Sequence, residues 1–211
     1  MTRRPDPHAG KRILRMIRPV MAGGGSSEDR LRKIVRLIAG EMGVQVCSCY
    51  VMRAGEVLEL FATHGLNQAA IHVTRMEPGE GLVGEIASQA RPLALSDARA
   101  HRAFSYRPET DEDPFLSFCG VPVLRDGRVR GVLVIQTRDH RVWSEDDLET
   151  LETLAMIAAE LIAALEAITP QEISSAKDVC SGPCRIDAAA LNSGLGMGVA
   201  VLHDPRPVIR E

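Results

Sequence analysis

The stretch FLSFCGVPVLRDGRVRGVLVIQT, residues 115–137, decides the fold class. Phe115–Leu124 and Val129–Thr137 are mainly apolar runs of strand length, and the Asp126-Gly127 dipeptide between them is a strong β-hairpin signal. Within the second run, GVLVIQ at 131–136 has the apolar character of a strand buried on both faces. The stretch therefore predicts two antiparallel strands, the second of them central in a sheet.

The same pattern continues upstream of this hairpin. Val44–Met52 and Glu56–Thr63 are two more short apolar runs, and the turn at Arg53-Ala54-Gly55 joins them as a second hairpin. Ile71–Met76 and Pro92–Leu95 are predicted as further short strands. Together these segments predict an antiparallel sheet of about six strands.

Helical periodicity brackets the strands at both ends. Residues 11–21 and 28–42 are predicted as helices, the second with Ser26 or Ser27 as N-cap. A short helix is expected at 82–89, and a last helix starts at Ser144. Strands flanked by helices, without strict alternation, predict an α+β fold.

The last helix carries a regular apolar seam with heptad spacing. Its residues are Leu148, Leu151, Ala155, Ala158, Ile162 and Leu165. Two interpretations stay open: the seam forms a homodimer bundle with the helix at 28–42, or it packs on the sheet of its own domain.

Composition excludes several classes of function. The 211 residues contain 25 Lys and Arg against 28 Asp and Glu, so a general nucleic-acid or membrane binder is not expected. Aromatic residues make up 3%, too few for base-stacking platforms. Five scattered cysteines do not resemble a secreted disulfide framework, and with no targeting signal or bilayer-length apolar run they favour a cytoplasmic location.

No motif supplies an independent sign of catalysis. The glycine triplet at 79, 81 and 84 imitates a dinucleotide fingerprint, but Glu80 would repel a pyrophosphate. The histidines lack metal-ligand spacing, and Cys180 and Cys184 have no second ligand pair, so no metal site is predicted. A nucleophile, a base and an orienting group are not found together. The polar loop at 97–118 is the expected lid of a small-molecule pocket.

Several motifs in a fixed order resemble one known family, the GAF domain of nitrogen-related enzyme I of the phosphoenolpyruvate phosphotransferase system. They are GEGLVGEI (79–86), PLALSDA (92–98), SYRPET (105–110), SFCGVP (117–122) and GVLVIQ (131–136). The resemblance covers residues 26–168. GLGMGVAVLHDPRPVI (194–209) is similar to the opening strand of the phosphohistidine domain of that family.

The resemblance implies an N-terminal part of a longer phosphotransferase. Residues 1–25 are then a tail and short helix, 26–168 a sensory GAF domain, 169–193 a linker and 194–211 the truncated start of the phosphohistidine domain. Binding of an amino acid such as glutamine would control autophosphorylation by phosphoenolpyruvate. The phosphoryl group would pass to a histidine phosphocarrier protein, and Mg²⁺ would serve the missing catalytic part. The present chain is expected to be catalytically silent.

The expected ligand pocket combines residues of the strands, the short helix and the lid. It comprises Cys47, Cys49, Phe61, Thr63, Leu82, Asp97, Tyr106, Phe118 and Val134. The chain departs from the family pattern at Ala94, Arg102 and Cys119, and an Ala94 that faced the pocket would change its ligand preference. Two alternatives remain: a dimerisation module with an unoccupied pocket, and a small redox or dinucleotide enzyme that uses the glycine triplet and the cysteine pairs.

Overall fold

A computed structural model of the chain describes the backbone of residues 9–178 and the side chains of residues 11–167. Its helices and strands are α1 (Ala9–Ala22), α2 (Ser27–Met42), β1 (Val46–Arg53), β2 (Val57–His64), β3 (Arg75–Met76), α3 (Gly81–Gln89), β4 (Leu93–Leu95), β5 (Ser117–Arg125), β6 (Arg128–Thr137) and α4 (Glu145–Asp178). Two short 3₁₀ turns, Gln68–Ala70 and Pro108–Thr110, lie in the loops. None of the helices in this range combines the length and apolarity needed to cross a membrane.

The six strands form one antiparallel sheet in the order β3-β2-β1-β6-β5-β4. The β5–β6 hairpin turns at Asp126 and Gly127, whose φ angles are +52° and +70°. A two-residue turn with both φ angles positive matches the right-handed twist of the flanking strands. The predicted α+β class, the number of strands and both hairpins are confirmed.

The helix boundaries follow from side-chain capping. Ser26 Oγ accepts the Asp29 N–H at 3.0 Å and starts α2. At the start of α4 the Asp147 N–H donates to Ser144 Oγ at 3.1 Å, and the Ser144 N–H donates back to Asp147 Oδ2 at 3.0 Å. This reciprocal pair is a capping box in which Asp takes the usual place of Glu.

The heptad seam of α4 packs inside its own domain. Leu151, Ala155, Ala158 and Ile162 are buried in the core that also contains Cys119 and the other inward residues of the sheet, while Leu148 and Leu165 pack at its margin. Because these side chains are already covered within a single chain, the homodimer interpretation loses the surface on which it depended.

Two sequence expectations differ from the structure. Only Arg75–Met76 of the expected strand 71–76 pairs with β2, because a 3₁₀ turn capped by Asn67 precedes it and His72 adopts φ +64°. The expected linker at 169–193 begins as helix, since α4 continues to Asp178. The expected strand at 194–209 lies outside the described residues.

The two faces of the sheet are covered differently. Helices α1, α2 and α4 cover one face, here called the helix side, and bury a mainly apolar core that includes Val121, Leu133 and Ile135. Helix α3 and the β4–β5 loop (residues 96–116) cover the other face, here called the loop side, where Val132 and Val134 are buried.

Candidate functional site

Three of the residues predicted to line a pocket belong to the helix side. Cys47 and Cys49 point into the helix-side core, and Phe61 joins them because of a β-bulge in β2. Cys49 pairs with Ala62 and Tyr50 with Leu60, so Phe61 is the extra residue and falls on the same face as Ala62. We therefore leave Cys47, Cys49 and Phe61 out of the candidate site.

The buried cysteines also have little capacity for redox chemistry. Burial raises the pKa of the Cys49 thiol to about 12 and, with a smaller effect of Asp147, that of Cys119 to about 12. Thiols with such pKa values stay protonated at neutral pH, whereas reactive cysteines are thiolates. Cys180 and Cys184 lie outside the described residues.

Four predicted residues do come together on the loop side. Leu82 of α3, Phe118 of β5 and Val134 of β6 belong to one buried cluster. Thr63 lies on the same face, where its hydroxyl is hydrogen-bonded to the Ser48 hydroxyl at 2.7 Å. Ser48 in turn pairs with Val134 across β1 and β6. These four residues belong to the candidate site on the loop side.

The remaining two predicted residues belong to the β4–β5 loop. Asp97 shapes the start of this loop, because its Oδ1 accepts the N–H groups of Arg99 at 3.1 Å and Ala100 at 3.3 Å. Tyr106 is 41% exposed and is hydrogen-bonded to Asp113, which raises the pKa of its phenol. Asp97 is therefore a structural residue of the loop, and Tyr106 lies at its outer surface.

The polar centre of the loop side is Glu112, which was not among the predicted pocket residues. The Arg107 N–H donates to Glu112 Oε1 at 3.1 Å, and the buried Gln136 side chain donates a further hydrogen bond to the same carboxyl group. Burial raises the pKa of Glu112 because it disfavours the charged form, although these two hydrogen bonds oppose the effect. A partly desolvated carboxylate with this environment is suited to pairing with a cationic group.

Tyr50 of β1 is 4% exposed and interacts electrostatically with this carboxylate. Burial raises the pKa of its phenol, and the neighbouring Glu112 raises it further. The hydroxyl therefore keeps its proton and stays available as a hydrogen-bond donor. We call Tyr50, Glu112 and Gln136 the polar triad.

One ion pair closes the β4–β5 loop over α3. The Arg107 guanidinium donates to Glu80 Oε1, and the other oxygen of Glu80 accepts the Glu77 N–H at 3.0 Å. The backbone hydrogen bond and the Arg107 pair together lower the pKa of Glu80. We call the Arg107–Glu80 pair the latch, because it joins the loop that carries Glu112 to the start of α3.

The glycine triplet has a packing role in this arrangement. A Cβ atom at Gly84 would lie 2.4 Å from the Glu77 carbonyl oxygen, so only glycine lets α3 approach the preceding turn. Gly81 has φ +67°, a conformation that glycine adopts readily. With Glu80 occupied by the latch, these residues do not form a phosphate-binding loop.

Among the described side chains, no group of three or more His, Cys, Asp or Glu residues is arranged to hold a metal ion.

Comparison with known proteins places this geometry in a family. Residues 26–162 match the family described as GAF domain, and the chain belongs to that family. The structure superimposes on the GAF domain from a phosphoenolpyruvate-protein phosphotransferase of Coxiella burnetii with a TM-score of 0.73 and 29% identity, covering 77% of this chain and 98% of that one.

Two curated relatives extend the comparison to whole proteins. The chain is 32% identical over 151 residues, 71% of its length, to the Escherichia coli K12 protein named phosphoenolpyruvate-dependent phosphotransferase system. It is 31% identical over 117 residues, 53% of its length, to the Nif-specific regulatory protein of Azospirillum lipoferum. The matches span 20% and 19% of those proteins, so the chain corresponds to about a fifth of each.

Proposed function

We propose that the GAF domain is a sensory module that binds an amino acid such as glutamine on the loop side. In this proposal the bound ligand controls phosphoenolpyruvate-dependent autophosphorylation of a nitrogen-related phosphotransferase enzyme I. Two observations support a regulatory role in a phosphotransferase. The domain is similar to the GAF domain of a phosphoenolpyruvate-protein phosphotransferase, and it is 31% identical to a regulatory protein.

The ligand class is inferred from the polar triad, which lies on the loop side among mainly apolar side chains. Glu112 offers a carboxylate to an ammonium group, and Gln136 offers both a donor and an acceptor to a side-chain amide. Tyr50 can donate its hydroxyl to a carboxylate oxygen. An α-amino acid with an amide side chain presents these three groups together.

The latch supplies a route into the site. Opening the Arg107–Glu80 pair would release the β4–β5 loop from α3 and free the guanidinium for the ligand carboxylate. Thr110 limits the movement, because its backbone oxygen accepts the Asn67 N–H at 3.1 Å and holds the far side of the loop. The loop is therefore expected to hinge near Thr110.

The remaining parts of the proposed pathway belong to regions outside the matched domain. Phosphoryl transfer to a histidine phosphocarrier protein, and Mg²⁺ for that chemistry, would be supplied by the catalytic part of a longer enzyme. A reducing compartment such as the cytoplasm suits the free buried Cys47, Cys49 and Cys119.

Isothermal titration calorimetry of the chain with glutamine tests the proposal, with glutamate, asparagine and cyclic nucleotides as comparison ligands. The Glu112→Gln variant should bind glutamine at least about tenfold more weakly, because a charge-assisted hydrogen bond is lost. Glu149→Gln, an exposed substitution on α4, is the matched control and should bind as the wild type does. Absence of heat with every amino acid, or equal affinity in Glu112→Gln, would refute the proposed ligand class.

A further inference from the structure

A second concave site lies away from the polar triad, at the end of the sheet where the β1–β2 turn and the start of β6 meet α4. It is a half-open cleft of about 780 Å³, a volume in the range of small-molecule sites. Its charged lining residues are Arg53, Arg128, Arg130, Glu56 and Glu166. The arginines outnumber the carboxylates in this set.

One of the three arginines is held rigidly by its neighbours. Arg53 Nη2 donates to Glu59 Oε1 at 3.0 Å, and the guanidinium lies 5.0 Å from the centre of the Phe61 ring. Because Glu59 already balances its charge, Arg53 forms a fixed wall of the cleft. Arg128 and Arg130 are then the groups that can receive a ligand.

Arg130 occupies a β-bulge at the mouth of the cleft. Val123 pairs with Gly131 and Leu124 pairs with Val129, so Arg130 is the extra residue of β6. Bulges re-aim a side chain away from the regular alternation of a strand. The next residue, Gly131, lets β6 approach β1 closely, because a Cβ atom there would lie 2.2 Å from the Tyr50 carbonyl oxygen.

The donor capacity of these two arginines is largely unused. Arg130 Nη1 is 3.5 Å from Glu166 Oε2, at the edge of hydrogen-bonding distance. Its Nε is buried and has no hydrogen-bond partner among the described residues. The exposed Arg128 makes no ion pair within the part of the chain that the structure describes. Two guanidinium groups that line the same cleft and have unused donors are suited to binding an oxyanion.

We propose that this cleft binds a small dianion carrying carboxylate or phosphate groups, through Arg128 and Arg130 and in competition with Glu166. Competition between the anion and Glu166 for Arg130 would couple ligand binding to α4, because two ion pairs join this helix to the β5–β6 hairpin. These are Arg125–Glu160 at 3.1 Å and Arg130–Glu166 at 3.5 Å. An anion that takes Arg130 from Glu166 removes the second of them and loosens α4 near residue 166.

Titration of the 211-residue chain with inorganic phosphate and, separately, with succinate tests this inference by calorimetry at low ionic strength. Arg128→Gln should weaken binding of the preferred anion by about tenfold, the loss expected for one charge-assisted contact. Glu166→Gln should strengthen it, because the competing carboxylate is gone. Arg36→Gln, an exposed arginine on α2, is the matched control and should leave the affinity unchanged.

Hydrogen exchange of the α4 amides provides the second readout. The preferred anion should increase exchange near residue 166 in the wild type and have no effect in Glu166→Gln, where the ion pair is already absent. Tighter binding of phosphate assigns the cleft to phosphorylated ligands, and tighter binding of succinate assigns it to dicarboxylates. Failure of both anions to bind at tens of millimolar, or equal affinity in Arg128→Gln and Arg36→Gln, would overturn the inference.

Discussion

The helix side and the loop side of the sheet are built from the same six strands but have opposite character. On the helix side, three helices seal an apolar core in which even the cysteine thiols are desolvated. On the loop side, one short helix and a loop close over the polar triad. Adjacent residues of β6 therefore have different roles: Ile135 holds the domain together, and Gln136 shapes the candidate site.

The largest expected effect comes from placing charge in the helix-side core. Leu151 and Ile162 are fully buried, so the double variant Leu151→Glu, Ile162→Glu would bury two unpaired carboxylates, and such groups cost several kcal/mol each. We expect the domain to unfold, as measured by circular dichroism and light scattering. A folded monomer obtained from a dimeric wild type would instead show that the seam is an intermolecular interface. Met156→Glu, at a position 69% exposed on the same helix, should remain folded.

Neighbouring substitutions in β6 separate the two faces directly. Ile135→Ala should lower the free energy of unfolding by about 2–5 kcal/mol, because it leaves a cavity in the core. Gln136→Ala should lower it by only about 1 kcal/mol, the net contribution of one hydrogen bond, yet weaken glutamine binding. Urea unfolding and calorimetry measure the two quantities. A large loss of stability in Gln136→Ala with unchanged binding would reverse the assignment of the faces.

Two carboxylates, Glu59 of β2 and Glu112 of the β4–β5 loop, should titrate with opposite effects on stability. Burial alone would raise the pKa of Glu59, but hydrogen bonds from His72, Arg53 and Arg75 outweigh it and lower the pKa below 4.5. Its contribution to stability is therefore present above pH 4.5 and lost as the pH falls through the lowered value. Glu112 has a pKa above 4.5, so its contribution is present at acidic pH and is lost as the pH rises through the raised value.

Urea unfolding at a series of pH values measures the effects of Glu59 and Glu112 on stability. In Glu59→Gln the free energy of unfolding at neutral pH should fall by about 1–3 kcal/mol, because the partners of Glu59 lose a charged acceptor. The decrease of this free energy in acid should also become smaller, because the titrating carboxyl group is gone. Glu112→Gln should flatten the decline on the alkaline side of pH 4.5 instead. Identical pH profiles for both variants would contradict the contrast between the two carboxylates.

The smallest effect on stability is expected at the latch, because Arg107 and Glu80 are partly exposed to solvent. Arg107→Ala should change the free energy of unfolding by less than about 1 kcal/mol, yet increase amide exchange across residues 107–112. Arg102→Ala removes a nearby, largely exposed arginine and is the control. Equal exchange in both variants would show that the latch does not hold the loop.

Elements with strong periodicity or turn chemistry were predictable from the sequence. The Asp126-Gly127 turn, the N-cap at Ser26 and the Ser144–Asp147 box are local signals, and the structure contains each of them. The prediction of a strand over 71–76 was wrong for most of its length, because the alternating pattern is short and a 3₁₀ turn precedes it.

The candidate site was less predictable, because it depends on long-range geometry. The alternation of side chains along a strand shows which of its residues share a face. It does not show which face of one strand matches which face of the next, and the bulge at Phe61 interrupts the alternation in β2. Gln136 could have been predicted as a site residue, because it lies two positions after Val134 in β6 and therefore on the same face of the sheet. Glu112 lies in a loop without periodicity, so nothing local indicates that it reaches Gln136.

Amide NMR during a glutamine titration tests the central claim, that the loop side is the ligand site and the helix side is core. We expect chemical-shift changes concentrated at Tyr50, at residues 107–112 and at Gln136, with Cys47 and Cys119 unaffected. Changes confined to the helix side, or an unchanged spectrum at saturating glutamine, would contradict it.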